Sequence, residues 1–186
     1  MTESLSSAVS PRAEQRLKEL GIDLPAAPKP FGTYAEAVQT GNLLFLSGML
    51  PTEGSAAKFT GRVGAELDVP TARDAARLAA LNVLAVARDH LGSLDRVTRI
   101  VRLGVSVATV GDIRDQPKVA DGASELLQSV FGRDKNPCRL VYGVASFRSE
   151  RQSNSKSFSK SRCENNRPRL LMCTPPAFRT SQARLH

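Results

Sequence analysis

Two hydrophobic periods alternate along the chain. In "VPTARDAARLAALNVLAVARDHLGSLD" apolar residues recur every three or four positions, and Ala75, Leu78, Ala79, Leu81, Leu84, Ala85 and Leu91 form one broad stripe. This predicts a helix over about 70–91, with Pro70 near its start and Gly92 just past its end. "QPKVADGASELLQSVFG" has the same period and predicts a second helix, ended by Gly132. A shorter one opens the chain in "SPRAEQRLKELG", with Ser10 as N-cap, Pro11 in the first turn, Gly21 as stop, and Leu17 and Leu20 on one side.

The other period is two. "TYAEAVQTGNLLFLSGMLP" reads as a hairpin: an alternating strand at 33–39, a turn at Gly41-Asn42 and an apolar strand at 43–47. "RVTRIVRLGVSVA" alternates, with Val97, Ile100 or Val101, Leu103 and Val105 inward, and "PCRLVYGVAS" begins another strand. The order β-β-α-β-α-β predicts an α+β domain, a mixed sheet with two helices packed on one face. A last strand is expected after residue 146. In its place stands "SNSKSFSKS", residues 153–161, which keeps the rhythm of a strand without its apolar face.

That run has an explanation in the genetic code. Asn and Lys codons begin AA, Phe codons TT, and most Ser codons TC. Read one nucleotide back, codons ending in TC encode Phe, Leu, Ile or Val, and codons ending in AA encode Glu, Lys or Gln, or a stop. From Gln152 to Ser161 the shifted reading alternates apolar and charged residues as a half-buried strand does. The preceding "FRSERQ" permits a turn such as "LPLGTP", and a stop is allowed at Cys163-Glu164. We read the frame as changing near Ser146, with the final strand missing from the chain as written. The alternative is a Ser/Lys-rich disordered tail.

Composition fits this division. The chain has 186 residues, 41% of them hydrophobic, enough for one domain plus extensions. Residues 147–186 hold nine Lys or Arg against two acids, and so carry seven of the eight net positive charges. The remainder is nearly neutral, which argues against nucleic acid as a partner. We expect an N-terminal helical extension over 1–27, a domain over 28–146 and a basic Ser/Arg-rich tail over 147–186. Cys138, Cys163 and Cys173 have no paired spacing, and no signal peptide or membrane-spanning run is present, which predicts a reduced, cytoplasmic protein. Asp95, Asp112 and Asp115 occupy turn or cap positions rather than a metal site, His90 lies at a helix end, and the "GxG" fragments lack a strand-to-helix phosphate context. No cofactor is expected.

With the last strand restored, the chain resembles the RidA (YjgF) family, whose older description is endoribonuclease L-PSP with a chorismate-mutase-like fold. The resemblance runs from about Pro28 to Ser146 and rests on the order and spacing of "FGTYAEAVQTGNLLFLSGMLP", "LNVL", "LGSLDRVTRIV", "GASELLQSVFG" and "CRLVYGVAS". It implies a homotrimer with sites between subunits, hydrolysing reactive enamines and imines to 2-oxo acids and ammonia. It also implies that Arg139 grips the substrate carboxylate, that Tyr34 lines the pocket and that Val141 contacts substrate through its backbone. The family glutamate that positions or activates water falls at Asn154, where the shifted codon can encode Glu. Thr33 and Met49 also depart from the family pattern.

Taken alone, Arg139 reads as a rim charge, Tyr34 fits packing as well as ligand contact, and Cys138 reads as an inert core or interface thiol. Three functions follow: an imino-acid deaminase, inactive if Asn154 stands where the acid is needed; a carboxylate-binding trimer without catalysis; and RNA binding or cleavage, suggested by the tail charge and the family's older description.

Overall fold

Asp68 begins the longest element. Its carboxylate accepts the Thr71 N–H at 2.8 Å and caps helix α2, Val69–Leu91. The helix ends where Gly92 turns left-handed (φ 79°) and its N–H reaches the Arg88 carbonyl at 2.7 Å. The computed structural model describes residues 12–145. The serine run, Asn154, Cys163, Cys173 and the basic tail therefore lie outside the described residues, and the first helix, expected to be capped by Ser10, begins at Ala13 with Arg12 in the N-cap position.

Helix α1 (Ala13–Glu19) precedes a hairpin of β1 (Ala37–Thr40) and β2 (Leu43–Leu46). A second small hairpin, β3 (Thr52–Glu53) with β4 (Ala56–Ala57), leads to α2. Then come β5 (Arg102–Ala108), helix α3 (Gln116–Phe131) and β6 (Cys138–Val144). β1 and β2 pair antiparallel, while β5 and β6 pair parallel across the α3 crossover. Among the described residues the strands thus form three separate two-stranded ladders.

The two long helices pack on each other and on one face of these strands. Leu126, Val130 and Ala123 of α3 meet Ala80, Leu84 and Ala87 of α2 in a core that also takes Leu44 and Leu46 of β2 and Leu103 of β5. Small residues let the helices approach closely. At Gly122 a Cβ would sit 2.1 Å from the Arg73 carbonyl oxygen, so only glycine fits. A second cluster joins Val63, Ala72, Val107 and Val119, with Val141 against it. α1 is fastened to the 3-10 turn at Leu94–Arg96, just after α2, by reciprocal bonds: the Glu14 N–H donates to Asp95 at 3.1 Å, and the Leu94 N–H donates to the Glu14 carboxylate at 2.9 Å.

Several sequence expectations are corrected. Leu20 is 49% exposed, because it is the C-cap residue and the chain turns back there, the Ile22 N–H bonding the Leu17 carbonyl. Ile22 packs on the core instead. The buried side of α2 centres on Ala80, Leu84 and Ala87, and Ala75, Leu78, Ala79 and Leu91 are only half-buried. The first hairpin strand starts at Ala37 rather than 33. Residues 94–96 form a 3-10 turn around the fully buried Leu94, and pairing in the next strand begins only at Arg102. Ile100 packs inward and Val101 points out. The β3–β4 hairpin has no counterpart among the expected elements, although Gly54-Ser55 is a two-residue turn with Gly54 at φ 62°.

Two stability effects follow. Gly122→Ala should push the helices apart at Arg73 and destabilise the fold by about 1–3 kcal/mol, read as a lower midpoint in urea. A midpoint equal to the parent's would mean that the contact yields freely. Asp68 is held below the ordinary carboxylate range, chiefly by hydrogen bonding to Thr71, first through its side chain and then its backbone. A depressed folded value makes its contribution complete above the unfolded value and lost as pH falls through the folded one. Asp68→Asn should therefore behave like the parent below that range and lag it near neutrality. Parallel stability–pH curves for the two proteins would refute this.

Candidate functional site

Arg139 lies on β6, and its alternation with Leu140 turns its side chain toward α3. Asp121 and Ser124, three residues apart on that helix, share the facing side. Arg139 Nη1 donates to Asp121 Oδ1 at 2.6 Å and to Ser124 Oγ at 3.0 Å. A partly exposed ion pair of this kind contributes at most about 1 kcal/mol to folding. What it does is orient the guanidinium. One nitrogen is occupied, and Nε and Nη2 have no hydrogen-bond partner among the described residues. The remaining edge can face a planar carboxylate.

A second guanidinium borders this group. Arg73 of α2 pairs with Glu125, and its protonated form is favoured first by that hydrogen bond, with the Asp121 charge adding to it. Asp121 thus bonds Arg139 directly and adds its charge to the field at Arg73.

Val141 is half-buried against Val63, Ala72, Val107 and Val119. The Cys138 N–H donates to the Val101 carbonyl and the Thr109 N–H to the Val144 carbonyl, which fixes the phase of the ladder. In that phase the backbone groups of Arg139 and Val141 turn to the outer edge of β6, away from β5. A ligand beside Arg139 could use both.

Tyr34 belongs to a different place. Its hydroxyl accepts the Phe31 N–H at 3.2 Å, and its ring, with Pro30, Phe31, Glu36, Met49 and Leu50, lines a cavity of about 60 Å³. That holds a few waters, against the roughly 300–1,000 Å³ typical of ligand pockets. Arg139 and Val141 are not in its lining. Within one chain the structure brings Arg139 and Val141 together on β6 and leaves Tyr34 apart.

Asn82 is a site-building residue that sequence reasoning does not single out. It is buried in α2, and its Nδ2 donates to the Leu50 and Thr52 carbonyls at 2.9 and 3.0 Å. This anchors the wall of the Tyr34 cavity to the helix. The available signal is a polar residue inside the apolar "LNVL" stretch. Cys138 is exposed, its thiol donating to the Val101 carbonyl at 3.1 Å, which excludes the core reading. His90 lies 3.3 Å from Gln39 Oε1. Asp95 receives the Glu14 N–H, Asp112 forms an exposed ion pair with Arg114, and Asp115, in the N-cap position of α3, pairs with Lys118.

Residues 14–149 match the family model described as "YjgF/chorismate mutase-like, putative endoribonuclease". The chain belongs to this family. Its fold is the chorismate-mutase-like YjgF fold. The chain is 41% identical over 142 residues to Protein TCP17 of Trypanosoma cruzi, covering 76% of this chain and 89% of the relative. It is 31% identical over 124 residues to a 2-iminobutanoate/2-iminopropanoate deaminase of Dermatophagoides farinae, covering 67% and 82%. Among solved structures, a "putative endoribonuclease" of Shewanella oneidensis superposes with a TM-score of 0.70 at 30% identity, covering 74% of this chain and 91% of the other. A protein of unknown function from Agrobacterium tumefaciens gives 0.66 at 38% identity, covering 74% and 83%. No helix among the described residues is long and apolar enough to cross a membrane.

Asn82→Leu keeps the volume of the side chain and removes its donors. Leaving the Leu50 and Thr52 carbonyls unpaired should cost about 1–3 kcal/mol and loosen the cavity wall. Denaturant unfolding checks the first, and amide exchange across Met49–Thr52 the second. An unchanged midpoint would show that water replaces the amide without loss.

Proposed function

We propose that this YjgF-family chain derives from an imino-acid deaminase. In this reading it hydrolyses a reactive enamine or imine carboxylate to a 2-oxo acid and ammonia. The observation that carries the reading is Arg139, oriented by Asp121 and Ser124 through one nitrogen and with no hydrogen-bond partner on its other edge among the described residues. The likeness to a relative named as a 2-iminobutanoate/2-iminopropanoate deaminase supports it.

The chemistry is a hydration followed by an elimination. An enamine first takes a proton at its β-carbon and gives one up from nitrogen to become the imine. Water then adds to the C=N carbon, its oxygen forming the new bond and its proton passing to nitrogen. The carbinolamine then collapses, the C–N bond breaks, and ammonia leaves as the carbonyl forms. Arg139 holds the carboxylate so that this carbon meets the water, and Val141 offers backbone groups along the same edge. The acid that would activate the water corresponds to Asn154, outside the described residues. Asn154 as written favours a second reading, a carboxylate-binding trimer without turnover. Ammonia release from 2-aminoacrylate by the frame-restored chain separates the two.

Assembly as a homotrimer completes the proposal. Val38 and Phe45, directly opposite each other across β1 and β2, are 55% and 44% exposed. Leu140 and Tyr142 are exposed on the outward face of β6. Apolar surface of this kind favours contact between copies, and such contact would bring the Tyr34 wall of one subunit toward the Arg139 strand of another. We place the protein in the cytoplasm, acting on a small molecule rather than RNA.

In the frame-restored chain, Arg139→Lys should impair turnover nearly as much as Arg139→Ala while leaving the assembly intact. Lysine keeps the charge but offers one rotating ammonium in place of a planar fork. A misplacement of about 1 Å at the reacting carbon costs on the order of a hundredfold in rate. Steady-state ammonia release, with size-exclusion chromatography as control, is the measurement. Full activity in both variants would remove Arg139 from the site.

A further inference from the structure

A second cleft opens where the chain reverses after α1. Glu14, Leu17 and Lys18 stand at i, i+3 and i+4 and share one face of that helix. Gly21 then turns left-handed at φ 62°, and the Ile22 N–H bonds the Leu17 carbonyl at 2.9 Å. The returning segment sets Ile22, Asp23 and Leu24 beside the helix, and Arg88 from the last turn of α2 forms the opposite wall. The cleft has a volume of about 380 Å³, within the roughly 300–1,000 Å³ of small-molecule sites. Its floor is apolar. Leu17 is 3% exposed, and Ile22 and Leu24 pack partly buried on the core.

The charges around that floor are unevenly committed. One Glu14 oxygen accepts the Leu94 N–H at 2.9 Å, and the other faces Arg88 Nη1 at 3.8 Å. That separation steadies the guanidinium by charge but is too long for a hydrogen bond. Lys18 and Asp23 enter no ion pair among the described residues. Two cations and one free carboxylate therefore border the same apolar surface. A simple anion there would meet Asp23, and a simple cation would meet Lys18 and Arg88. A molecule carrying both charges answers both sides.

We propose that this cleft binds an α-amino acid with an aliphatic side chain. The ligand's carboxylate lies between Arg88 and Lys18, its ammonium on Asp23, and its side chain on Leu17, Ile22 and Leu24. Arg88 supplies the planar fork that a carboxylate fits, and Glu14 keeps that fork at the wall. The cleft shares no residue with the surroundings of Arg139 or with the Tyr34 cavity. It stands whatever reaction the Arg139 edge supports. Occupancy would tie α1 and the returning segment to α2, and so stabilise the fold in proportion to ligand concentration.

The test titrates the full chain as written with four probes, read by amide NMR shifts. L-Leucine carries all three recognition features. The 4-methylpentanoate anion lacks the amine, 3-methylbutylamine lacks the carboxylate, and free glycine lacks the side chain. L-Leucine should move the amides of Leu17–Leu24 and of Arg88 saturably, and bind more tightly than each of the others by about tenfold or more. Arg88→Met should weaken L-leucine binding by about tenfold or more. Asp23→Asn should weaken L-leucine and leave 4-methylpentanoate unchanged or tighter, a reversal that general destabilisation would not produce. Arg139→Ala should leave the L-leucine response intact, so failure of the deaminase reading and failure of this one are told apart. Absence of a saturable shift at those amides would overturn the proposal. So would equal binding of 4-methylpentanoate or the amine, or an Asp23→Asn variant that binds L-leucine like the parent.

Discussion

Everything in this domain hangs on how closely α2 and α3 approach. Gly122 against the Arg73 carbonyl sets the separation, and the alanines along α2 keep it short over several turns. That distance decides which strands the helical layer can cover. It also decides where Asp121 and Ser124 come to lie, because they flank Gly122 on the same helix. A wider spacing would move Asp121, which orients Arg139, away from the charge of Arg73.

The site is therefore built from helix packing more than from the strand that carries it. Arg139 alone on β6 is a flexible cation. Asp121 and Ser124 hold one of its nitrogens and fix the plane of the rest. The arrangement uses an internal carboxylate to organise a receptor for an external one. Asn82 plays a comparable part at the other candidate wall, where a single amide ties a loop to the buried side of α2.

Much of this is legible in the sequence, and most of the exceptions share a cause. The bounds of α2, α3 and β6 follow from local period, capping and glycine placement, and the structure reproduces them within a residue or two. The resemblance points to Arg139 but gives no sign of Asp121, which lies 18 residues upstream across a crossover. The turn at Leu94 is hidden because its stabilising partner, Glu14, comes 80 residues earlier. Asn82 reads as an interruption of an apolar stripe until Leu50 and Thr52 are placed beside it. Local period reveals elements, while contacts between distant elements need the fold. The β3–β4 hairpin differs from these, since its Gly54-Ser55 turn is a local signal on strands too short to show a period.

The parallel pairing of β5 with β6 has a consequence in time. Arg102 and Cys138 are neighbours in the ladder although a whole helix separates them in the chain. Closing that loop costs entropy before any strand bond offsets it, so such pairs form late. The α2–α3 contacts span still more chain, with Arg73 and Glu125 lying 52 residues apart. During synthesis the edge of β5 that takes β6 must therefore stay unpaired until α3 has docked and Val144 has cleared the ribosome. In a crowded cell that interval is when a chaperone, or another nascent copy, meets this protein first.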